Sequence, residues 1–183
     1  MSRFPRIRSR RVAALALGLA IVPAFAGGAL ATGGPGSRGN GADVAAVRQA
    51  TEKYHDVAAA IADGYIPFYV CAEQPGVGTM GQHYVKLSLV GDPAIDPLQP
   101  EALVYEPTRS GGLKLAAVEY VTMDTSFQPT VLGQPMKFVP AGNRYGLPDF
   151  YERHAWIWQA NPAGEFADWN PNMTCLGNGD NGG

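Results

Sequence analysis

Tyr145 to Cys175 reads YGLPDFYERHAWIWQANPAGEFADWNPNMTC and holds all three tryptophans of the chain, one of its three histidines and one of its two cysteines. Between loops rich in Pro, Gly and Asn, His154, Trp156 and Trp158 alternate with Ala155, Ile157 and Gln159. A period of two belongs to a β-strand, whose side chains point to opposite faces. Glu152 to Gln159 is therefore expected to be the last strand of a sheet, with one His-Trp-Trp face. Aromatic area beside a titratable imidazole suits a ligand pocket, and it suits a filled core equally well.

The same period recurs upstream. His83 to Val90, HYVKLSLV, places His83, Val85, Leu87 and Leu89 on one face, and Gly91-Asp92-Pro93 stops it. Ala102 to Glu106 is a short strand. Leu113 to Met123, LKLAAVEYVTM, is a longer one after the Ser110-Gly111-Gly112 turn, with Glu119 among Leu113, Leu115, Ala117, Val121 and Met123, and with Ala116, Val118 and Tyr120 opposite. Ile66 to Cys71 and Met136 to Val139 complete the strands, and Gln128 to Pro135 reads as a loop. One segment keeps a helical period instead: from an N-cap at Asp43, Val44, Val47, Tyr54, Val57, Ala58, Ile61 and Tyr65 recur at spacings of three and four, with Gly64 as C-cap. Short strands joined by turns mean antiparallel neighbours. The expected fold is α+β, one long N-terminal helix packed on a curled antiparallel sheet of about five or six strands.

The N-terminus reads as a leader. Five arginines precede an apolar run from Val12 to about Phe25, and the small residues Ala24-Phe25-Ala26 and Ala29-Leu30-Ala31 offer cleavage sites, so residues 1–31 are expected to be a signal peptide. Pro23, Gly27 and Gly28 break the run before the roughly 20 residues a membrane span needs, so no stable span is expected in the mature protein. Residues 32–41 read as a flexible linker, 42–176 as a single domain and 177–183 as a disordered tail. Of the chain's 14 Lys and Arg, Arg3, Arg6, Arg8, Arg10 and Arg11 leave with the leader. Nine then face 16 Asp and Glu, a formal charge of −7. That repels phosphate backbones, so nucleic acid is not an expected partner.

Export also decides the cysteines. An exported chain with two, Cys71 and Cys175, is expected to pair them. The ionisable residues on strand faces are His83, Glu106, Glu119 and His154. Gathered from neighbouring strands, they would form a two-His-one-carboxylate site for a first-row metal ion such as Cu, Zn or Fe, or an acid/base pair. Tyr105, Tyr120, Trp156 and Trp158 would line the adjoining small-molecule pocket. The alternative is structural, with hydrogen-bonded histidines in an apolar interior and Glu119 paired with Arg153 or Arg144. His55, beside Lys53 and Asp56, reads as a surface residue. Gly76 to Gly81 lacks the strand-turn-helix context of a phosphate loop, and no G-x-S-x-G stands in the chain.

Gly78-Thr79-Met80-Gly81-Gln82-His83-Tyr84-Val85, Pro100-Glu101-Ala102-Leu103-Val104-Tyr105-Glu106, Val118-Glu119-Tyr120, Tyr145-Gly146-Leu147-Pro148 and His154-Ala155-Trp156-Ile157-Trp158 through Asp168-Trp169-Asn170-Pro171 to Cys175 form a distinctive set. With it the chain resembles a family of exported bacterial single-domain proteins to which no activity is attached. The resemblance implies an extracellular, periplasmic or cell-wall location and keeps His83, Glu106, Glu119 and His154 as the candidate group. It implies no substrate. Two functional classes follow: a small-molecule or metal-binding domain, or a metal-dependent or His/Glu acid-base enzyme. A structural domain without a ligand is the third reading.

Overall fold

In the computed structural model, which describes residues 37–176, the N-terminal helix is broken where the sequence predicts continuity. Helix α1 runs Ser37–Thr51, a 3-10 turn covers Glu52–His55, and α2 is Val57–Ala62. Asp56 makes the break. Its backbone is extended (φ −91°, ψ 108°) and its carboxylate accepts the Ala58 N–H at 2.9 Å, a cap that competes with helix propagation. The apolar stripe is thereby re-phased: Val44, Val47, Tyr54 and Ala60 are buried, whereas Ala58 is exposed and Ile61 is 52% exposed. Gly64 caps α2 as expected, at φ +93°, with the Tyr65 N–H returning to the Ala60 carbonyl and its own to Ile61. Because α1 starts at Ser37, it takes in part of the stretch read as a linker. The leader and the tail from Gly177 lie outside the described residues. Contacts group the described residues as one unit.

Six strands, numbered in chain order, form one antiparallel sheet whose spatial order is β1 (Ile66–Gln74), β2 (Gly78–Val85), β3 (Ala102–Pro107), β4 (Leu113–Thr122), β8 (Phe150–Ala155) and β7 (Lys137–Val139). The segment expected as loop holds a small hairpin, β5 (Thr130–Val131) with β6 (Gln134–Pro135), turning at Leu132 and Gly133 with positive φ. β2 ends at Val85, not Val90. The Lys86 N–H still reaches the Glu101 carbonyl at 2.9 Å, and from there Leu87–Val90 coils into the short helix α3. β8 ends at Ala155, not Gln159. The Ile157 N–H folds back onto the Ala155 carbonyl (2.9 Å), which ends the alternation and carries Trp158 to the helix side.

The two sheet faces have different tasks. Tyr84, Leu103, Tyr105, Val118, Tyr120 and Ala155 pack with Val44, Val47, Tyr54 and Ala60 into the main core. Each large side chain there contributes about 2–3 kcal/mol of transfer free energy. Leu115 joins this core and not the Glu119 face, because the pairing slips by one residue: Val104 opposes Ala117, but Tyr105 opposes Leu115. A one-residue slip sends every later side chain to the other face. On the opposite face, cross-strand pairing aligns Phe68 with His83, His83 with Val104, Ala102 with Glu119 and Glu119 with His154.

Three local features hold this second face. Cys71 and Cys175 form the expected disulfide, with Cα atoms 5.7 Å apart, and tie the C-terminal segment to β1. β1 carries a bulge between Phe68 and Ala72, where Tyr69 sits at φ +63° and the Gln82 amide donates to its carbonyl (2.9 Å). Opposite, Gly81 has φ +92°, and a Cβ there would lie 2.7 Å from the Tyr105 carbonyl oxygen and 2.9 Å from Val104 Cγ1. Both the φ and the contact demand glycine. Gly81→Ala is expected to destabilise the domain by about 2–4 kcal/mol, a loss to be read from urea unfolding midpoints at constant slope.

Glu101 gives the fold a pH dependence of its own. Its side chain is 1% exposed and accepts the Val121 N–H at 3.1 Å. Burial is the main cause that pushes its carboxyl up to about 7. A folded value above the unfolded one adds stability that is complete below about pH 4.5 and is lost as pH rises through about 7. Glu101→Gln keeps an acceptor without the charge. Its stability relative to wild type is expected to rise by about 2–3 kcal/mol between pH 4.5 and pH 8, measured by chemical denaturation at both ends.

Candidate metal centre

Alternation on β2, β4 and β8 delivers His83, Glu119 and His154 to one point. The Nε2 atoms of His83 and His154 are 3.3 Å apart. Glu119 straddles them, Oε2 at 3.3 Å from His83 Nε2 and Oε1 at 3.6 Å from His154 Nε2. All three are buried, at 4%, 5% and 0% exposure. The Nδ1 atoms of both imidazoles are buried without a hydrogen-bond partner. Buried polar groups left in this state cost about 1–3 kcal/mol each, a cost that an ion held on the Nε2 atoms would leave in place.

Electrostatics reinforce the point. Burial holds the His83 imidazole down at about 4, with the Gly81 backbone opposing weakly, and holds His154 well below the usual histidine range, with His83, Lys137 and Arg153 adding to the effect. Both rings are thus neutral and keep a lone pair. Burial raises the Glu119 carboxyl well above the carboxylate range, and Glu152, in hydrogen-bond contact with it, raises it further. Two neutral imidazoles and one carboxyl thus face one another, a donor set suited to a first-row cation. A tetrahedral ion with bonds of about 2.0–2.1 Å holds its ligand atoms about 3.3–3.4 Å apart, which the two nitrogens and the His83–Oε2 contact match and the 3.6 Å His154–Oε1 contact slightly exceeds.

Of the four residues expected as ligands, three converge and Glu106 does not. Ala102 is the β3 partner of Glu119, so Glu106, four residues on, stands about 13 Å along the strand. It pairs with Lys114 at 3.9 Å. Of the four expected pocket aromatics, one adjoins the centre. Trp156 stacks on His154 with ring centroids 5.8 Å apart and planes at 12°, and its Nε1 donates to the Ala167 carbonyl. Tyr105 and Tyr120 lie in the main core on the other face, their hydroxyls donating to the Tyr54 and Pro97 carbonyls at 2.8 Å. Trp158 packs with the helices, its ring 4.3 Å from that of exposed His55 and its Nε1 donating to Thr51 Oγ1. Arg153, on the face opposite Glu119, donates to the Pro135 and Phe166 carbonyls instead of pairing with it.

The cavity beside the centre is built from other residues. A space of about 90 Å³ is walled by Phe68, Val85, Val121, Met123, Tyr145, Leu147 and Phe150, and by Leu87 and Val90 of α3; its polar lining is His83, Glu119 and Glu152. Glu152 was missed by the sequence reading, although it precedes His154 by two residues and so shares its face. Glu152, His154 and Asp168 also bring donor atoms together. Lys137 already compensates that acidic pair, 3.6 Å from Glu152 and in contact with Asp168, so the first trio is the stronger metal candidate. Among the described residues, no helix is long and apolar enough to cross a membrane. No protein-family model matches the chain, and neither a curated protein nor a solved structure does.

Proposed function

We propose that this domain is an exported metal-binding protein that holds one first-row divalent ion, of the Zn²⁺ type, on His83 Nε2, His154 Nε2 and the Glu119 carboxylate. One observation carries the reading: two buried imidazole nitrogens 3.3 Å apart, with the two oxygens of one buried carboxyl 3.3 and 3.6 Å from them, each residue from its own strand. Three protein ligands leave a fourth position, and two of the three line the cavity, so that position belongs on the cavity side. The reading stops at binding: the lining holds no serine, cysteine or lysine, and turnover at such a centre would rest on a metal-bound water with Glu152 on the wall as base. The Cys71–Cys175 bond supports a place outside the reducing cytosol, in keeping with the leader-like N-terminus and the resemblance to exported proteins.

Elemental mass spectrometry on protein purified without tag or chelator tests this. About one equivalent of Zn, Cu or Fe is expected, and it should disappear in the His83→Ala, His154→Ala double variant and in the near-isosteric Glu119→Gln. Glu119→Gln preserves volume, so circular dichroism should show it folded. A folded wild type that takes up none of these ions on re-addition would overturn the proposal.

A further inference from the structure

Beside the centre stands a second group of donors that shares one of its residues. Glu152, His154 and Asp168 each bring one donor atom within 4.8 Å of the others. Side-chain exposure falls along the group, from 21% at Asp168 through 3% at Glu152 to 0% at His154. Glu152 is in hydrogen-bond contact with Glu119, so carboxyl oxygens continue from the surface to the first trio. The group is more than an acidic patch, because its imidazole is fully buried and His154 Nδ1 has no hydrogen-bond partner. It also holds a cation already. The Lys137 ammonium is in contact with Asp168 and stands 3.6 Å from Glu152 Oε1. One ammonium between two carboxylates leaves a surplus of negative charge, and the lysine side chain, 46% exposed on a flexible stem, has solvent to turn into.

The approach to this group is polar. A cleft of about 350 Å³ is lined by Lys137 and Glu152, with Gln74 and Asn143 on its wall. Arg144, the other cation of the cleft, is seated over the Trp169 ring, 5.0 Å from its centroid. The smaller cavity that Glu152 also lines is walled by Phe68, Val121, Leu147 and Phe150, against which an ion would shed its water with nothing to replace it.

We propose that Asp168, Glu152 and His154 form an entry site, at which a hydrated divalent cation is captured from the cleft and passed to His83, Glu119 and His154; the proposal rests on the metal reading above. Asp168, the most exposed of the three, meets the ion first, and Lys137 gives up its place to it. The ion then exchanges Asp168 and Glu152 for Glu119 and His83, with His154 common to both positions, and Lys137 returns to the carboxylates behind it. Competition from Lys137 keeps the outer site the weaker one. A station of this kind lowers the barrier in both directions and leaves the end state unchanged, so it governs rates and not affinity.

Co²⁺ alone serves as the probe, since its absorption reports entry among protein ligands. Metal-stripped protein is mixed with Co²⁺ by stopped flow at low ionic strength. Asp168→Asn is expected to slow loading about tenfold and to slow release to a chelator by a similar factor, with one equivalent still bound at equilibrium and the affinity within about twofold of wild type. Lys137→Met removes the competing ammonium and should load faster than wild type. Glu106→Gln removes the same charge as Asp168→Asn at a place away from the path, and should load at the wild-type rate. A merely structural role for Asp168 would change affinity or stability without slowing both rates together. Loading of Asp168→Asn at the wild-type rate would overturn the inference, as would equal slowing in Glu106→Gln or a Lys137→Met variant no faster than wild type; each of these leaves the metal centre standing. A wild type that takes up no Co²⁺ would instead overturn the metal reading, and this inference with it.

Discussion

Zn²⁺ added to the metal-stripped domain at pH 7.5 is expected to raise its unfolding free energy by about 4 kcal/mol when free zinc exceeds its dissociation constant a thousandfold. The gain should shrink in acid, and the residues say why. His83, held at about 4, and His154, held low by the same burial, stay neutral and do not compete with the ion until the pH is well below 6. Glu119, raised by burial, keeps a proton that the ion must displace. Below the folded pKa of Glu119, each unit of falling pH is expected to weaken zinc about tenfold. Without metal the signs are opposite for the two kinds of group. The depressed His83 contributes about 3 kcal/mol that is complete above pH 6.5 and lost as pH falls through about 4. The raised Glu119 contributes stability that is complete below about pH 4.5 and lost as pH rises through its folded value. Zinc removes that second loss. Thermal scans with and without zinc at pH 5.5, 6.5 and 7.5 would show a widening gap, and Glu119→Gln should flatten it. A gap that narrows with rising pH would contradict the assignment of Glu119 as ligand.

Opening the Cys71–Cys175 bond should cost about as much by a different route. The bond closes a loop with a sequence separation of 104, and in the chain-entropy treatment a loop of that order lowers the free energy of folding by about 4–5 kcal/mol by restricting the unfolded ensemble. The double variant Cys71→Ala, Cys175→Ala is expected to lose about that much in urea. Its effect on the metal should be small, because neither cysteine lines the cavity beside His83 and Glu119, and β2, β4 and β8 are held in one sheet through β3 by pairing that does not involve the bond. Stability measured with saturating zinc should therefore show the two contributions adding. If the variant unfolds at the wild-type midpoint, the loop is already restricted in the denatured state.

Much of the centre was legible because period two is a strong signal. His83 and His154 each stand at the head of an alternating face, and Glu119 on a strand apolar on both sides, so that alternation marks all three as sheltered. What alternation cannot give is register between strands. Glu106 has the same face as Ala102, yet the pairing of Ala102 with Glu119 carries it down the strand and out of reach. Tyr105 and Tyr120 failed for a different reason: Tyr120 neighbours Glu119 in sequence, and neighbours on a strand point to opposite sides. The bulge that sends Leu115 to the helix face left no mark in LKLAAVEYVTM, since both faces of that strand are apolar. At Asp56 a local cap outweighed a continuous helical period, and at Ile157 a backbone fold onto Ala155 cut the His-Trp-Trp alternation after its second member. Lys137, which contacts Glu152, lies in the expected Met136–Val139 strand but was not singled out, and its second partner, Asp168, comes from a loop with no periodic signal.

The bulge in β1 also bears on how the molecules behave in company. β1 is an edge strand, and it exposes Ile66, Tyr69 and Val70 along a border whose free N–H and C=O groups could recruit a strand from a second chain. At the other border β7 offers only three residues. The left-handed turn at Tyr69 interrupts β1 midway, so that no long straight run of backbone donors and acceptors lies open there. The domain thus resists edge-to-edge pairing through a kink that lies just before its disulfide-bonded Cys71.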